Sequence, residues 1–256
     1  MRPTRFSWLT ARTTDIVLSQ KKKIQMRTGG WIDSVRIPSG AARDKRISTL
    51  PRKMITPLTI ILLILLGYAL GSVPFGLLIG KKAGQMDIRK AGSGNIGATN
   101  VGRLLGKKWG ILTLFCDINK AIIPLGLALY GLGRVANMEL WVSLIALAVF
   151  IGHLYPVYLK FKGGKGVATA LGVFIVLIPW AAFSAFPVFI AATWISGYVS
   201  VGSLTAAAAM PLLAWLFSHS KIYTLLAAVM AALIWVKHKD NIRRLLNGSE
   251  KSWRKG

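Results

Sequence analysis

Cysteine occurs once in these 256 residues, at Cys116, histidine three times, and acidic side chains only eight times against 33 Lys and Arg. A lone cysteine excludes an intramolecular disulfide and a cysteine metal cluster. None of His153, His219 and His238 stands at ligand spacing from another His or Cys, so no metal is expected. Charged residues of both signs make up 16% of the chain while 54% is hydrophobic. A net charge of +25 would suit a nucleic-acid binder, but such proteins rarely carry a run like Ile55 to Gly80, long enough to cross a bilayer. No nucleic-acid partner is expected. What is present is a membrane protein's composition with a basic polar fraction.

Residues 1–53 hold 13 Lys or Arg and three Asp without an apolar run that spans or serves as a signal. They read as a disordered leader, with Met54 as the expected true start and 54–256 as the membrane domain. From Met54 the apolar runs have approximate limits 55 to 80, 109 to 131, 138 to 158, 166 to 178, 180 to 197, 202 to 217 and 221 to 237. The expected fold is all-α, a polytopic bundle of about seven transmembrane helices. Between Val167 and Phe217 there is no charge, so the division there rests on Pro179 and the break around Gly197 to Ser203, and five spans also fit. Residues 81–108 carry seven Lys or Arg, 159–166 three and 237–256 seven, which should place these regions on the cytoplasmic side. Seven spans would then leave the basic leader on the wrong side, a second reason to start at Met54. Neither an internal repeat nor a matched pair of broken segments stands out.

The first basic region contains GSGNIG, Gly92 to Gly97. Its G-x-G-x-x-G spacing means a dinucleotide site only inside a βαβ unit, and here it joins two membrane runs. Glycines let backbone N–H groups converge on one concavity, beside Ser93, Gly94, Asn95, Thr99 and Asn100, and Arg103 offers a forked partner for phosphate. A flexible basic turn against anionic headgroups explains the same composition. KFKGGKGVAT, Lys160 to Thr169, lacks the first glycine and the Ser or Thr of a Walker A loop. Yet Gly163, Gly164, Lys165 and Gly166 open a helix and should gather backbone donors, the positive helix end and an ammonium. Asp117 and Lys120, three apart in an apolar run, either brace a helix or serve a site. His238, Asn241 and Arg244 share a helix face that could complete an anion pocket, although a histidine at a helix end, as His153 also is, is more often an interfacial or capping residue.

Three segments in this order, SGNIGATNVGR (Ser93 to Arg103), GHLYPVYLKFKGGKGVAT (Gly152 to Thr169) and HKDNIRRL (His238 to Leu245), resemble the bacterial membrane acyl-phosphate:glycerol-3-phosphate acyltransferases of phospholipid synthesis. The likeness runs from about Met54 to the end. It implies seven helices in the bacterial cytoplasmic (inner) membrane, an active site facing the cytoplasm, and transfer of a fatty acyl group from acyl phosphate to the 1-hydroxyl of glycerol 3-phosphate. Lysophosphatidic acid and phosphate would be the products. By that likeness Ser93, Asn95, Arg103, Lys165, His238 and Asn241 map to active-site positions and the GGKG segment to a phosphate-binding loop. Gly94, Thr99, Asn100, Lys120 and Arg244 are further expected substrate contacts. One departure is visible: the family usually has glycine after the lysine of its D-x-x-K segment, and here Ala121 follows Lys120.

Acyl phosphate is an activated mixed anhydride, so alignment and charge stabilisation suffice without a covalent nucleophile, and no cofactor is expected. None of the three histidines is followed by Asp at His-x4-Asp spacing, so a conventional His-Asp base is excluded. A monomer in the bilayer is expected. The rivals are a carrier of phosphorylated metabolites and a headgroup-binding scaffold. The first should show half-helices and a central charged path, and the second does not require ordered glycines.

Overall fold

The computed structural model describes residues 56–132 and 135–255, and the basic leader at 1–53 lies outside them. Among the described residues the chain forms ten α-helices joined by short turns. α1 (Pro57–Gly71) begins where the Thr56 hydroxyl accepts from the Thr59 N–H at 3.3 Å, with Pro57 at a first-turn position that needs no N–H. The apolar run over 55–80 then breaks at Pro74, which cannot donate within a helix, and continues as α2 (Phe75–Gly84). After the first glycine loop come α3 (Ala98–Leu105) and α4 (Lys107–Leu132). α5 (Met138–Leu154) leads to the second loop and α6 (Val167–Leu177). α7 (Pro179–Ser196), α8 (Val199–Ser218) and α9 (Lys221–Lys237) follow, and α10 (Lys239–Leu246) leaves α9 at a 56° bend.

α1 packs on α5, α4 on α6, α7 on α8 and α8 on α9. Small residues make the closest approaches possible, as expected where helices meet without water to drive them together. A Cβ on Gly71 would strike the Val149 backbone, and one on Gly172 the Ile118 carbonyl. Gly172 thus supplies the space between α4 and α6, and Ala121 is accommodated beside it, fully buried. Leu125, Val149, Phe150 and Val173 fill the core. Leu58, Ile61, Leu62 and Leu65 of α1 and Trp180 and Phe183 of α7 face outward. Such a belt is an aggregation hazard in water and an ordinary surface in lipid.

Among the described residues five helical stretches are long and apolar enough to cross a membrane: Pro57–Gly84, Lys107–Leu132, Met138–Leu159, Pro179–Ser196 and Val199–Ser218. The bent pair α9 and α10 makes a sixth if counted as one span. All seven apolar segments of the sequence are therefore helical, but the fourth, α6, has 11 residues, ~16 Å against a hydrocarbon layer of ~30 Å. Pro179 sets that limit: it forces Ile178 out of helical geometry, at φ −145° and ψ 72°.

Candidate active site

The first glycine loop is organised from within. Asp87 accepts from the Arg89 N–H at 3.0 Å and pairs with its guanidinium at 2.6 Å, fixing a short 3₁₀ turn over Ile88–Lys90. Asn100, 1% exposed on the first turn of α3, is the hub. Its Oδ1 accepts from the Ser93 N–H at 2.8 Å, and its Nδ2 donates to the carbonyls of Asn95 at 2.9 Å and Ile88 at 3.0 Å. Asn95 Oδ1 accepts from the Gly97 N–H at 2.8 Å. Asn100, expected to contact substrate, therefore has its whole amide engaged in closing the loop, and Asn95 has its Oδ1 engaged in the same way. Gly92, at φ +64°, passes so close to Asn100 Oδ1 that a Cβ would collide with it.

In the second loop two of the N–H groups expected to gather as donors, those of Gly163 and Gly164, are engaged within the chain. The Gly163 N–H donates to the Leu154 carbonyl at 3.2 Å and the Gly164 N–H to the His153 carbonyl at 3.1 Å. The glycines are there for contact: a Cβ on Gly164 would enter the His153 ring, and one on Gly166 would meet Phe150 and Leu154. His153, 3% exposed, lies with Nδ1 3.7 Å from Asp117 Oδ1. The loop that carries Lys165 is thereby seated on the end of α5. Lys120 turns away from the cavity: its Nζ lies 3.1 Å from Asp117 Oδ1 and donates at 3.3 Å to the Val73 carbonyl, a group freed by the break at Pro74. It braces helices, and this residue, an expected substrate contact, does not line the cavity described below.

At the α9–α10 bend, His238 Nδ1 lies 2.8 Å from the Ile234 carbonyl. A carbonyl only accepts, so the proton is on Nδ1 and Nε2 keeps its lone pair. Three residues on, Asn241 Oδ1 accepts from Lys165 Nζ while its Nδ2 donates to Glu250 at 2.6 Å. Burial pushes the Lys165 ammonium down to about 8, opposed by the Glu250 charge and aided by Arg244. For Glu250 burial works the other way, yet donors from Asn241, Arg244 and Ser200 outweigh it and hold the carboxyl below its ordinary value.

One cavity of about 440 Å³ collects these groups. Ser93, Asn95, Thr99, Asn100 and Arg103 from the first loop and α3, Lys165 and Gly166 from the second, and His238, Asn241 and Arg244 from the bend all line it. Its other end is apolar, walled by Leu171, Phe174, Phe186, Met210, Met230 and Ile234. Gly94 and Gly163 instead border a separate basic depression with Arg89, Lys162 and Lys237. Gly164 and Lys120 line neither.

The family model described as glycerol-3-phosphate acyltransferase matches residues 61–248. The glycerol-3-phosphate acyltransferase of Desulfotalea psychrophila is 52% identical over 191 residues, 75% of this chain and 96% of that protein. This chain belongs to the glycerol-3-phosphate acyltransferase family. The glycerol-3-phosphate acyltransferase of Syntrophotalea carbinolica is 46% identical over 190 residues, 74% of this chain and 95% of its own length. The crystal structure of PlsY (YgiH), an integral membrane glycerol 3-phosphate acyltransferase, in its glycerol 3-phosphate form superposes with a TM-score of 0.71 at 40% identity, covering 76% of this chain and 96% of that one. Its lysophosphatidic acid form gives 0.69 at the same identity, covering 76% and 95%.

The sequence reading missed several groups of this family member's cavity. Ser200, Ser203, Glu250 and Lys251 also line it, and so do Asp117 and His153, which the sequence left between a structural role and a site. The signal for Glu250 was its sign, an acid in a tail otherwise rich in Lys and Arg. Nothing in the uncharged stretch around Ser200 and Ser203 marks those serines.

Proposed function

We propose that this chain is an integral membrane acyltransferase that moves a fatty acyl group from acyl phosphate to the 1-hydroxyl of glycerol 3-phosphate. The observation that carries this reading is one cavity with two characters. Arg103, Lys165 and Arg244, from three separate segments, gather at its polar end, and an apolar arm between α6, α7, α8 and α9 leads away from them. Two phosphates and one fatty chain fit that division of labour. Family relatives named for glycerol 3-phosphate, and a similar fold solved in glycerol 3-phosphate and lysophosphatidic acid forms, support the acceptor and product. The polar end belongs to the basic regions, and that excess of Lys and Arg supports a cytoplasmic face, in the bacterial inner membrane.

The chemistry needs a hydroxyl oxygen to reach the acyl carbonyl carbon, the carbonyl–phosphate C–O bond to break, and inorganic phosphate to leave. Lys165 and the first turn of α6, with its unsatisfied N–H groups beside Gly166, stabilise the leaving phosphate. Arg103 orients the acceptor's phosphate, and Ser93 with Asn241 aligns the reacting groups. His238 presents a lone pair on Nε2 and polarises the attacking hydroxyl. The hydroxyl proton departs with the released phosphate, whose oxygens are basic enough to take it. The protein acts as a monomer without metal or cofactor, in the domain 54–256.

The deciding assay uses purified protein in detergent with long-chain acyl phosphate and labelled glycerol 3-phosphate, and acyl-CoA as the alternative donor. Lysophosphatidic acid should form from acyl phosphate and not from acyl-CoA. Formation from acyl-CoA alone would overturn the donor, and no product from either would return the chain to the carrier or scaffold readings.

A further inference from the structure

A carboxylate standing among phosphate-binding cations calls for a reason. Glu250, two residues past the stretch matched by the family model, has a side chain 8% exposed. It accepts from the Ser200 hydroxyl at 2.9 Å, Asn241 Nδ2 at 2.6 Å and Arg244 Nε at 2.7 Å. The chain around it is tied down as a strap. The Ser249 and Glu250 N–H groups donate to the Arg244 carbonyl at 2.8 and 3.1 Å. Further on, the Ser252 hydroxyl and the Trp253 N–H both donate to the Gly197 carbonyl, at 3.0 and 3.1 Å, and the Trp253 ring stacks at 5.6 Å from Trp194. The carboxylate is thus held between the end of α10 and the α7–α8 turn.

That placement dictates the orientation of Asn241. An ionised carboxylate only accepts, so the amide nitrogen must face it and the amide oxygen must face Lys165. With the amide flipped, two donors would confront each other on one side and two acceptors on the other. We infer that Glu250 is a positioning residue that, through the Asn241 amide, sets the Lys165 ammonium in place for a phosphate. Its charge acts in the same direction. Around Lys165, Arg244 on α10 and Arg103 on α3 disfavour the ammonium, while Glu250 on the strap and Asp240 on α10 favour it, with His238 beside it at the bend.

This inference rests on the acyltransferase reading for its kinetic arm only. Glu250→Gln, Glu250→Asp and Trp253→Ala are compared with the parent protein in two measurements. The first is the pH dependence of trace acetylation of Lys165 by acetic anhydride, read by peptide mass spectrometry without substrate. The second is KM for acyl phosphate, whose leaving phosphate Lys165 meets. Glu250→Gln should move the Lys165 labelling midpoint to lower pH by ~1 unit and raise KM ~10-fold with a smaller change in kcat. Glu250→Asp should keep the midpoint and restore most of the KM. Trp253→Ala, which loosens the strap and leaves the carboxylate, should lower thermal stability without moving the midpoint. An unmoved midpoint in Glu250→Gln, or equal behaviour of the Gln and Asp variants, overturns the inference. So does a fall in KM, which would mark the carboxylate as an occupant that phosphate must displace. If the parent protein made no lysophosphatidic acid, the labelling arm would still decide the hold of Glu250 on Lys165, so the two failures stay distinguishable.

Discussion

The two glycine loops share a composition and differ in construction. The loop before α3 is built around polar contacts, with Asn100 joining three stretches of backbone from a buried position. The loop before α6 is built on shape, its glycines pressed against His153, Phe150 and Leu154 and its N–H groups bonded to the end of α5. Each construction delivers one cation to the same cavity, Arg103 from the first and Lys165 from the second. Glycine richness near a phosphate site therefore has at least two physical meanings: here it marks tight seating more than an open ring of amides.

This contrast is open to direct attack. The largest effect is expected from Lys165→Ala, a loss of ~10³-fold in kcat/KM with the protein still folded, because the charge that stabilises the leaving phosphate goes and the seat stays. Lysophosphatidic acid formation and a size-exclusion profile check both halves, and activity within tenfold of the parent would make the second loop a mere anchor. Asn100→Ala comes next. Loss of the hub leaves the Ser93 N–H and two carbonyls without partners, and ~2–3 kcal/mol of stability should go with it, read as a lower unfolding temperature in detergent. Gly164→Ala should cost ~1–3 kcal/mol through overpacking against the His153 ring and lower turnover ~10-fold. The same alanine at Gly94, where the nearest atom is the Arg89 carbonyl at 3.3 Å, meets less resistance, and its φ of +71° sets a cost of ~1 kcal/mol.

A pH titration is the gentlest probe. Lys165 is charged below about 8 and neutral above it, so kcat/KM for glycerol 3-phosphate should be flat on the acid side of that value and fall ~10-fold per unit on the alkaline side. In Lys165→Arg, which stays charged throughout, the alkaline fall should vanish even if the absolute rate is lower. A parent profile level to pH 10 would show that the charge state of Lys165 does not limit the reaction.

Much of this arrangement was written locally enough to read. Arg103, Lys165, His238 and Asn241 come from three motifs scattered over the chain, and the cavity joins them. The seven apolar segments are all helical, because hydrophobic run length and glycine or proline breaks are local properties. What escaped reading depends on distant neighbours. Whether Gly164 offers its N–H to a ligand or to a carbonyl is decided by His153, eleven positions earlier and on another helix. The role of Lys120 follows from a carbonyl at Val73, 47 residues away. Asn100 carries the same amide whether it faces a substrate or its own loop. Ser200 gains meaning only when the tail brings Glu250 to it.

The brevity of α6 has a consequence for where the reaction runs. α6 and α7 meet at Ile178, and the cavity is bordered by the first turn of α6 and by Ala182, Ala185, Phe186 and Phe189 of α7. An 11-residue helix set against one of 18 residues begins ~10 Å short of the level its neighbour reaches. The cationic end is therefore recessed relative to the far end of α7, and the apolar side chains of the cavity begin beside it. Under the proposed reaction a product would rest its chain against the apolar side chains of α6, α8 and α9 while its phosphate meets Arg103 and Lys165.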